Sequence, residues 1–426
     1  MKIVPFKMDR LSGRRTLLFG LLAILLGMIV IINGAGFTKL ALDLLSLYFF
    51  LVGLFNSILY FFAGKKDIPL TSEILRIIFG LFLAGLNELG NFSVNVVIII
   101  LGLYQLATAV VYAITYYLYR YDQAKGGFRY LFDAVLQGLL ALTTIFSPAT
   151  DGRQQFLFLG IYLILLGISN MRDGLFFDLD KERKHLRRHF RVNLPVIIAA
   201  FIPFEQLERF NHFFRGTKEQ ELSSVYRILK GEQQADLEVL VHTSKENLFG
   251  AIGHVDICYK GKVISYGSYD SFSQKLFGTI GDGVLFKVDK DAYIDLCKKE
   301  SKKTLFGYSL ALTDQEREAV EKRLREIDDL LEPWEPSDQA LNGSPTYAYK
   351  LRHELGADLY KFKSSRFKSY FILSTNCCLL ADSIVGQAGT AILNVRGIIA
   401  PGTYQNYLQY EFESANGLVV AHNIYC

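Results

Sequence analysis

The feature that most constrains the fold of this chain is a series of apolar runs in its first half. Six runs stand out among the 426 residues, at about 16–34, 38–63, 73–89, 94–118, 129–147 and 154–172. A helix needs about 20 apolar residues to cross the roughly 30 Å hydrocarbon layer of a bilayer. Most of the runs reach that length, so the sequence predicts an all-α, six-helix transmembrane domain over residues 1–175.

The runs form three pairs, and the pairs repeat. Residues 51–56 (LVGLFN) resemble residues 100–105 (ILGLYQ), and both resemble residues 158–163 (FLGIYL). The first run of each pair also carries a glycine, at Gly20, Gly80 and Gly138. A period of about 50–60 residues indicates three repeated helical hairpins. Glycines in such helices are typical of close packing between neighbours.

Positive charge is distributed unevenly around the runs. Basic residues precede the first run, lie in or beside the second and fourth connections, and follow the sixth run: Lys2, Lys7, Arg10, Arg14, Arg15, Lys65, Lys66, Arg120, Lys125, Arg129, Arg172, Lys181, Arg183, Lys184, Arg187, Arg188 and Arg191. The opposite side holds little more than Lys39 and Arg153. Because basic residues favour the cytoplasmic side, the sequence predicts a multi-pass protein with both termini in the cytoplasm.

Residues 14–175 resemble the HdeD-like family of small bacterial membrane proteins, through the paired, glycine-marked helices described above. The resemblance implies six spans, a bacterial inner (cytoplasmic) membrane and a link to acid stress. It implies no catalytic residues.

Residues 176–224 are expected to form a basic, amphipathic or interfacial linker. Its 181–191 stretch (KERKHLRRHFR) either fixes the topology or binds anionic lipid headgroups, at about 1 kcal/mol per basic residue. The apolar 193–204 stretch contains two prolines. As a helix it would rise only about 18 Å, which is too short to span. An interfacial position beside the lipid bilayer is therefore expected.

The composition of residues 225–426 indicates a separate domain with the polarity of an ordinary soluble protein. Alternating segments predict strands at 237–242, 253–259 and 263–269, with a turn at 260–262, and a capped helix is expected from about 312 to 331. Basic residues do not cluster in this half, so nucleic acid is not an expected partner. The prediction is an α+β domain with an antiparallel sheet.

All five cysteines lie in this second half, at positions 258, 297, 377, 378 and 426. The number is odd and no pair has CxxC spacing, so neither a disulfide framework nor a zinc site is indicated. Free thiols are typical of a reducing compartment. No metal or cofactor is expected.

Two of the polar residues have the chemistry of a nucleophile and its base. Cys377 follows Thr375 and Asn376, either of which can cap a helix, so the thiol is expected in the first helical turn. The partial positive charge and unpaired N–H groups there lower a thiol pKa, and the Cys377 backbone N–H could bind an oxyanion. His254 begins a predicted strand and could form an ion pair with the thiolate. Equally, an isolated cysteine or histidine is often structural.

The order of these motifs resembles the circularly permuted papain-like superfamily, which includes NlpC-type peptidases and lecithin retinol acyltransferase relatives. The matching features are Gly253-His254-Val255, the following hairpin, Leu312-Thr313 and Asn376-Cys377. The resemblance covers about residues 245–410 and implies Cys377 as nucleophile and His254 as base. Cys378 is the rival nucleophile.

The same resemblance implies a third, polar residue that orients the imidazole from the strand after the histidine. That position falls near Tyr266, which departs from the usual His, Glu or Asn. Ser268 and Asp270 lie close by as substitutes.

Three functions follow as hypotheses. The first is a membrane-tethered, cytoplasm-facing cysteine hydrolase of amidase or peptidase type, which forms an acyl-enzyme on Cys377. The second is a lipid acyltransferase or thioesterase of the same fold. The third is a non-catalytic membrane stress-response or binding protein. The substrate is a peptide, an amide or a lipid in the first two.

Overall fold

The computed structural model of the protein describes residues 2–3, 13–62, 69–89, 91–146, 148–175, 225–229, 235–243, 253–301, 304–338, 344–388, 401–413 and 417–425. The chain divides into two compact units. One consists of Gly20–Ala113 and Arg129–Ile168, and the other of Met1–Phe19, Ile114–Phe128 and Ser169–Cys426. The linker predicted at 176–224, with its 181–191 and 193–204 stretches, lies outside the described residues.

The first half is helical. Its helices are α1 (Gly13–Phe62), α2 (Leu70–Glu88), α3 (Phe92–Tyr121), α4 (Phe128–Phe146) and α5 (Pro148–Leu175). In the described part of the chain, five helices are long and apolar enough to cross a membrane. The predicted count was six, and the difference lies in α1, which contains the first two apolar runs.

Helix α1 is two helical arms joined at Asn33. Asn33 has φ −147° and ψ 63°, which is not helical. Its Oδ1 accepts a hydrogen bond from the Gly36 backbone N–H at 3.0 Å, so Asn33 caps the second arm in the manner of an N-cap. Uninterrupted, 50 residues of helix would extend about 75 Å, more than twice the thickness of a hydrocarbon layer.

Glycines allow two backbones to approach closely in the helical unit. A Cβ on Gly80 would lie 2.9 Å from both the Ser46 carbonyl oxygen and the Phe50 nitrogen. The Ser46 hydroxyl donates to the Gly80 carbonyl at 2.8 Å across the same contact. Small residues at helix contacts stabilise packing where no hydrophobic effect drives association. The predicted packing role therefore has a structural basis at Gly80, whereas a Cβ on Gly138 would make only ordinary contact.

The second half forms an antiparallel sheet. The described strands are β1 (Lys2–Ile3), β2 (Val225–Leu229), β3 (Leu237–Thr243), β4 (His254–Tyr259), β5 (Lys262–Gly267), β6 (Ile280–Asp282), β7 (Val284–Asp289), β8 (Thr304–Leu310), β9 (Leu331–Pro333), β10 (Asp358–Phe362), β11 (Ser369–Phe371) and β12 (Val419–Tyr425). Ten of these pair in the order β1-β2-β12-β8-β3-β4-β5-β7-β10-β9, and β11 pairs with β6. Every described pairing is antiparallel except β1 with β2.

Helices cover both faces of this sheet. They are α6 (Lys290–Ser301), α7 (Asp314–Asp328), α8 (Tyr347–Leu355), α9 (Cys377–Val385) and α10 (Pro401–Glu413). One core cluster joins the sheet to α7, α9 and α10, and a second joins it to α6 and α8. Strands β3 to β5 carry alternate side chains into the two clusters, because successive residues of a strand point to opposite faces. Strand β4 contacts helix α9, and the candidate site lies where these two elements meet.

Candidate thiol site

Helix α9 begins at the predicted cysteine because Asn376 caps it. The Asn376 Oδ1 accepts from the Leu379 backbone N–H at 3.2 Å, and its Nδ2 donates to the Ile372 carbonyl at 2.8 Å. Cys377 is the first helical residue and is only 3% exposed. The sulfur therefore lies in the first turn, where backbone N–H groups have no partner within a helix.

Cys377 and His254 are brought together from positions far apart in the chain. Hydrogen bonds from the Cys378 thiol and the His254 imidazole, together with the imidazolium charge and a backbone contact from Val255, outweigh burial and hold the pKa of Cys377 well below its ordinary value. Burial alone would lower the pKa of His254, but the Cys377 thiolate and the Asp256 carboxylate raise it to about 10. Both shifts favour the thiolate and imidazolium forms of the pair over the neutral forms.

Three polar groups lie close to Nε2 of the His254 imidazole. His254 Nε2 lies 2.9 Å from Asp256 Oδ1, 3.1 Å from Ser265 Oγ and 3.0 Å from the Tyr269 hydroxyl. The Ser265 and Tyr269 oxygens are 2.6 Å apart. The distances from His254 to these three side chains all start at Nε2. The His254 side chain is 22% exposed, so the site opens to solvent at the imidazole.

Asp256 is buried and bridges two histidines. Its Oδ2 lies 2.6 Å from His242 Nε2 and accepts from the Tyr293 hydroxyl at 2.9 Å, while Oδ1 faces His254. Burial alone would favour the neutral acid, but the charges of the two histidines hold the pKa of Asp256 well below its ordinary value. An ionised carboxylate at this position favours the protonated form of His254.

The third residue of the site differs from the sequence prediction, and the orienting position belongs to Asp256. The Tyr266 hydroxyl donates instead to the Phe367 carbonyl at 2.9 Å, because its side chain points into the core beside the loop that precedes α9. Asp270 pairs with Lys361 at 2.7 Å. Ser268 takes part in none of the described hydrogen bonds or ion pairs of His254.

The rival cysteine has a different character. Burial and the adjacent Cys377 sulfur raise the pKa of Cys378 well above its ordinary value, so it remains a thiol that donates to Cys377. Burial also raises the pKa of Cys258, to about 12. Cys258 and Cys297 belong to the second core cluster, away from the cluster that contains Cys377. Among these three cysteines, Cys377 is the one whose ionisation the environment favours.

Four contributors to the site were not assigned by sequence reasoning: Asp256, His242, Ser265 and Tyr269. Strand periodicity does place Asp256 on the face of His254, two residues further along β4. His242 is opposite His254 in the β3–β4 register, and that pairing cannot be read from one strand alone. Among the described residues, no group of three or more His, Cys, Asp or Glu side chains is arranged to hold a metal ion.

Comparisons of this chain with family models, with curated proteins and with solved structures found no match. Its function must therefore be inferred from the chemistry of the site.

Proposed function

We propose that this protein is a membrane-tethered cysteine hydrolase that cleaves an amide or peptide bond through an acyl-enzyme on Cys377. The observation that carries the proposal is the Cys377–His254–Asp256 arrangement, in which a low-pKa thiol at a helix N-terminus meets an imidazole held by a buried carboxylate. A nucleophile next to a base, with the base next to an orienting carboxylate, is an arrangement typical of enzymes that transfer an acyl group through a thiol. The order of the motifs also agrees with the permuted papain-like resemblance.

The proposed reaction uses the two charged forms of the pair. The Cys377 thiolate attacks the substrate carbonyl carbon, and a C–S bond forms while the carbonyl electrons move to oxygen. First-turn N–H groups of α9 stabilise that oxyanion. His254 gives its proton to the leaving nitrogen as the C–N bond breaks, which leaves a thioester. His254 then takes a proton from water, the water oxygen bonds to the acyl carbon, and the C–S bond breaks to return the thiolate.

A six-span topology with both termini in the cytoplasm is part of the proposal. One compact unit contains three separate segments of the chain, Met1–Phe19, Ile114–Phe128 and Ser169–Cys426. If all three lie on one side of a bilayer, the chain between any two of them must cross the bilayer an even number of times. Helices α1, α2 and α3 make three crossings if α1 counts once. Counting the two arms of α1 on either side of Asn33 makes four, and α4 with α5 adds two.

The thiol chemistry is tested by the pH dependence of alkylation at Cys377, with the modified site assigned by peptide sequencing in the mass spectrometer. We expect wild-type Cys377 to react with iodoacetamide already at pH 6, and His254→Ala to shift its profile toward that of an ordinary thiol. A wild-type profile centred near the unperturbed value of about 8.5 would sink the proposal. Cys378→Ala removes the thiol that donates to the Cys377 thiolate, so it should also shift the alkylation profile of Cys377 toward higher pH.

The reaction is tested with peptide and amide substrates on the full-length protein in proteoliposomes. Cys377→Ser is the matched control, because the hydroxyl keeps the size but not the acidity of the thiol. We expect release of the amine with a thioester trapped on Cys377, and no release with the control. Turnover of every substrate at equal rates by wild type and control would contradict the assignment.

A second candidate is transfer of the acyl group to an acceptor other than water. The apolar helices favour it, because they keep the site beside a bilayer that holds acyl donors. Mass analysis of the product separates the two candidates: a free carboxylic acid indicates hydrolysis, and an acylated amine or alcohol indicates transfer.

A further inference from the structure

The turn that ends α3 holds an acidic residue rigidly. The hydrogen bonds from Gln123 N to Arg120 O (3.3 Å) and from Ala124 N to Tyr119 O (2.9 Å) form a Schellman motif, with Gln123 in the left-handed region at φ 53°. Asp122 is the capping residue of this motif. It belongs to the same compact unit as the thiol site, and it contacts Ser369, from which it is 247 residues away in the chain.

Asp122 is an unexpected residue for this position. Carboxylates are disfavoured at the C-terminus of a helix, where the macrodipole is negative, and Asp122 is only 3% exposed. Its partner is Ser369 of β11: Oδ2 accepts from the Ser369 backbone N–H at 3.0 Å, and Oδ1 accepts from the Ser369 hydroxyl at 2.8 Å. Lys368 and Asp282 are the charged neighbours that act on the carboxyl. Two hydrogen bonds to one residue give the contact a defined geometry.

The contact continues to the nucleophile through the loop before α9. The Ser369 carbonyl accepts from the Thr375 hydroxyl at 2.8 Å and from the Tyr266 hydroxyl at 3.4 Å. The Tyr266 hydroxyl also lies 3.4 Å from the Thr375 carbonyl. Thr375 precedes the cap residue of α9, two residues before Cys377. A displacement of Ser369 therefore displaces the start of the helix that carries the thiol.

We propose that Asp122 is a positioning residue for the Cys377 thiolate, which it holds in place through Ser369 and Thr375. This inference rests on the proposed thiol function. It assigns to the end of α3 an indirect part in setting the reactivity of the site on β4 and α9. Helix α3 is long and apolar enough to cross a membrane. Asp122 acts through other residues and touches no reacting atom.

The test measures the pH profile of Cys377 alkylation in Asp122→Ala, with the full chain in proteoliposomes. Loss of both hydrogen bonds releases the loop and weakens the contact of the thiolate with His254. We expect at least tenfold slower alkylation at pH 6, and rates within about threefold of wild type at pH 10, where ordinary thiols ionise. Asp328→Ala, which removes a half-exposed carboxylate paired with Lys287, is the matched control and should follow wild type.

Two milder variants keep the test decisive if Asp122→Ala does not fold. Ser369→Ala removes the hydroxyl donor but keeps the backbone N–H bond, and Asp122→Asn keeps one acceptor oxygen. We expect both to slow alkylation at pH 6 by less than Asp122→Ala but by at least threefold. Emission from Trp334, the single tryptophan of the chain, reports whether the domain is folded.

The outcomes separate the two proposals. If wild-type Cys377 is reactive at pH 6 and these folded variants match it within twofold, the positioning role is overturned and the thiol function stands. If wild-type Cys377 titrates as an ordinary thiol, both are overturned.

Discussion

At the scale of single residues, the proposed thiol chemistry depends on one buried carboxylate. Asp256 faces His254 on one oxygen and His242 on the other. Its charge favours the protonated imidazole of His254. Removal of such a charge leaves buried cationic groups without an anionic partner, which is costly in a low-dielectric interior.

We predict that Asp256→Asn lowers the reactivity of Cys377 without removing the nucleophile or the base. The amide cannot stabilise the imidazolium by charge, so the pKa of His254 falls and the thiolate fraction falls with it. We expect at least a tenfold loss in alkylation rate at pH 6, measured against Asp328→Asn as a surface control. Equal rates in Asp256→Asn and wild type would contradict the orienting role.

His422 of β12 is the basis of a separate prediction, about how the free energy of unfolding depends on pH. Burial lowers its pKa to about 3, and its ring lies 4.5 Å from that of Tyr308 in a stacked arrangement. Below the unfolded value of about 6.5 the unfolded chain binds a proton that the folded chain does not, so this group lowers stability as pH falls from about 6.5 toward 3. His422→Phe removes that loss. Between pH 7 and pH 5 the free energy of unfolding of the variant should fall by about 2 kcal/mol less than that of wild type.

Unfolding for this comparison is followed by Trp334 emission in denaturant. His353→Phe is the control, because His353 is exposed on α8. Identical pH dependence of His422→Phe and wild type would show that His422 is not buried in its neutral form.

At the scale of secondary-structure elements, the start of α9 was predictable and its surroundings were not. A capping residue followed by an apolar segment defines a helix start from local sequence, and Asn376 caps α9. The strands β3, β4 and β5 also follow from alternation and from the turn at Lys260 and Gly261, whose φ values are 48° and 77°. Strands β8 and β12 were not predicted, because buried central strands lack a clear alternation of apolar and polar residues.

The cap itself gives a prediction about α9. Asn376→Ala removes the acceptor for the Leu379 N–H and the donor to the Ile372 carbonyl. We expect a loss of about 1–2 kcal/mol in the free energy of unfolding by Trp334 emission. Asn376→Ser keeps a capping oxygen and should lose less. An equal loss in both variants would indicate that the hydrogen bond to Ile372, rather than the cap, supplies the stability.

At the scale of the whole molecule, the topology depends on the break in α1. Ala35, just beyond the kink, and Gln274, in the loop between β5 and β6, are both exposed. In a background with Cys377→Ser and Cys426→Ser, we expect Ala35→Cys to react with a membrane-impermeant maleimide on intact cells. Gln274→Cys should react only after permeabilisation. A buried, unreactive Ala35→Cys would indicate that α1 crosses once, and labelling of Gln274→Cys on intact cells would place the domain outside.

The sequence by itself determined the properties that depend on local pattern: the apolar helices, the antiparallel strands around residue 260, and a cysteine in the first turn of a capped helix. Length, periodicity and capping are encoded by neighbouring residues, so they can be read without the fold. Only the tertiary structure decided which side chain orients His254. Asp256, Ser265 and Tyr269 converge because β4 and β5 pair in one register, and Tyr266 points to the opposite side of its strand. Contacts of that kind, like the one between Asp122 and Ser369, join distant parts of the chain and exist only once it has folded.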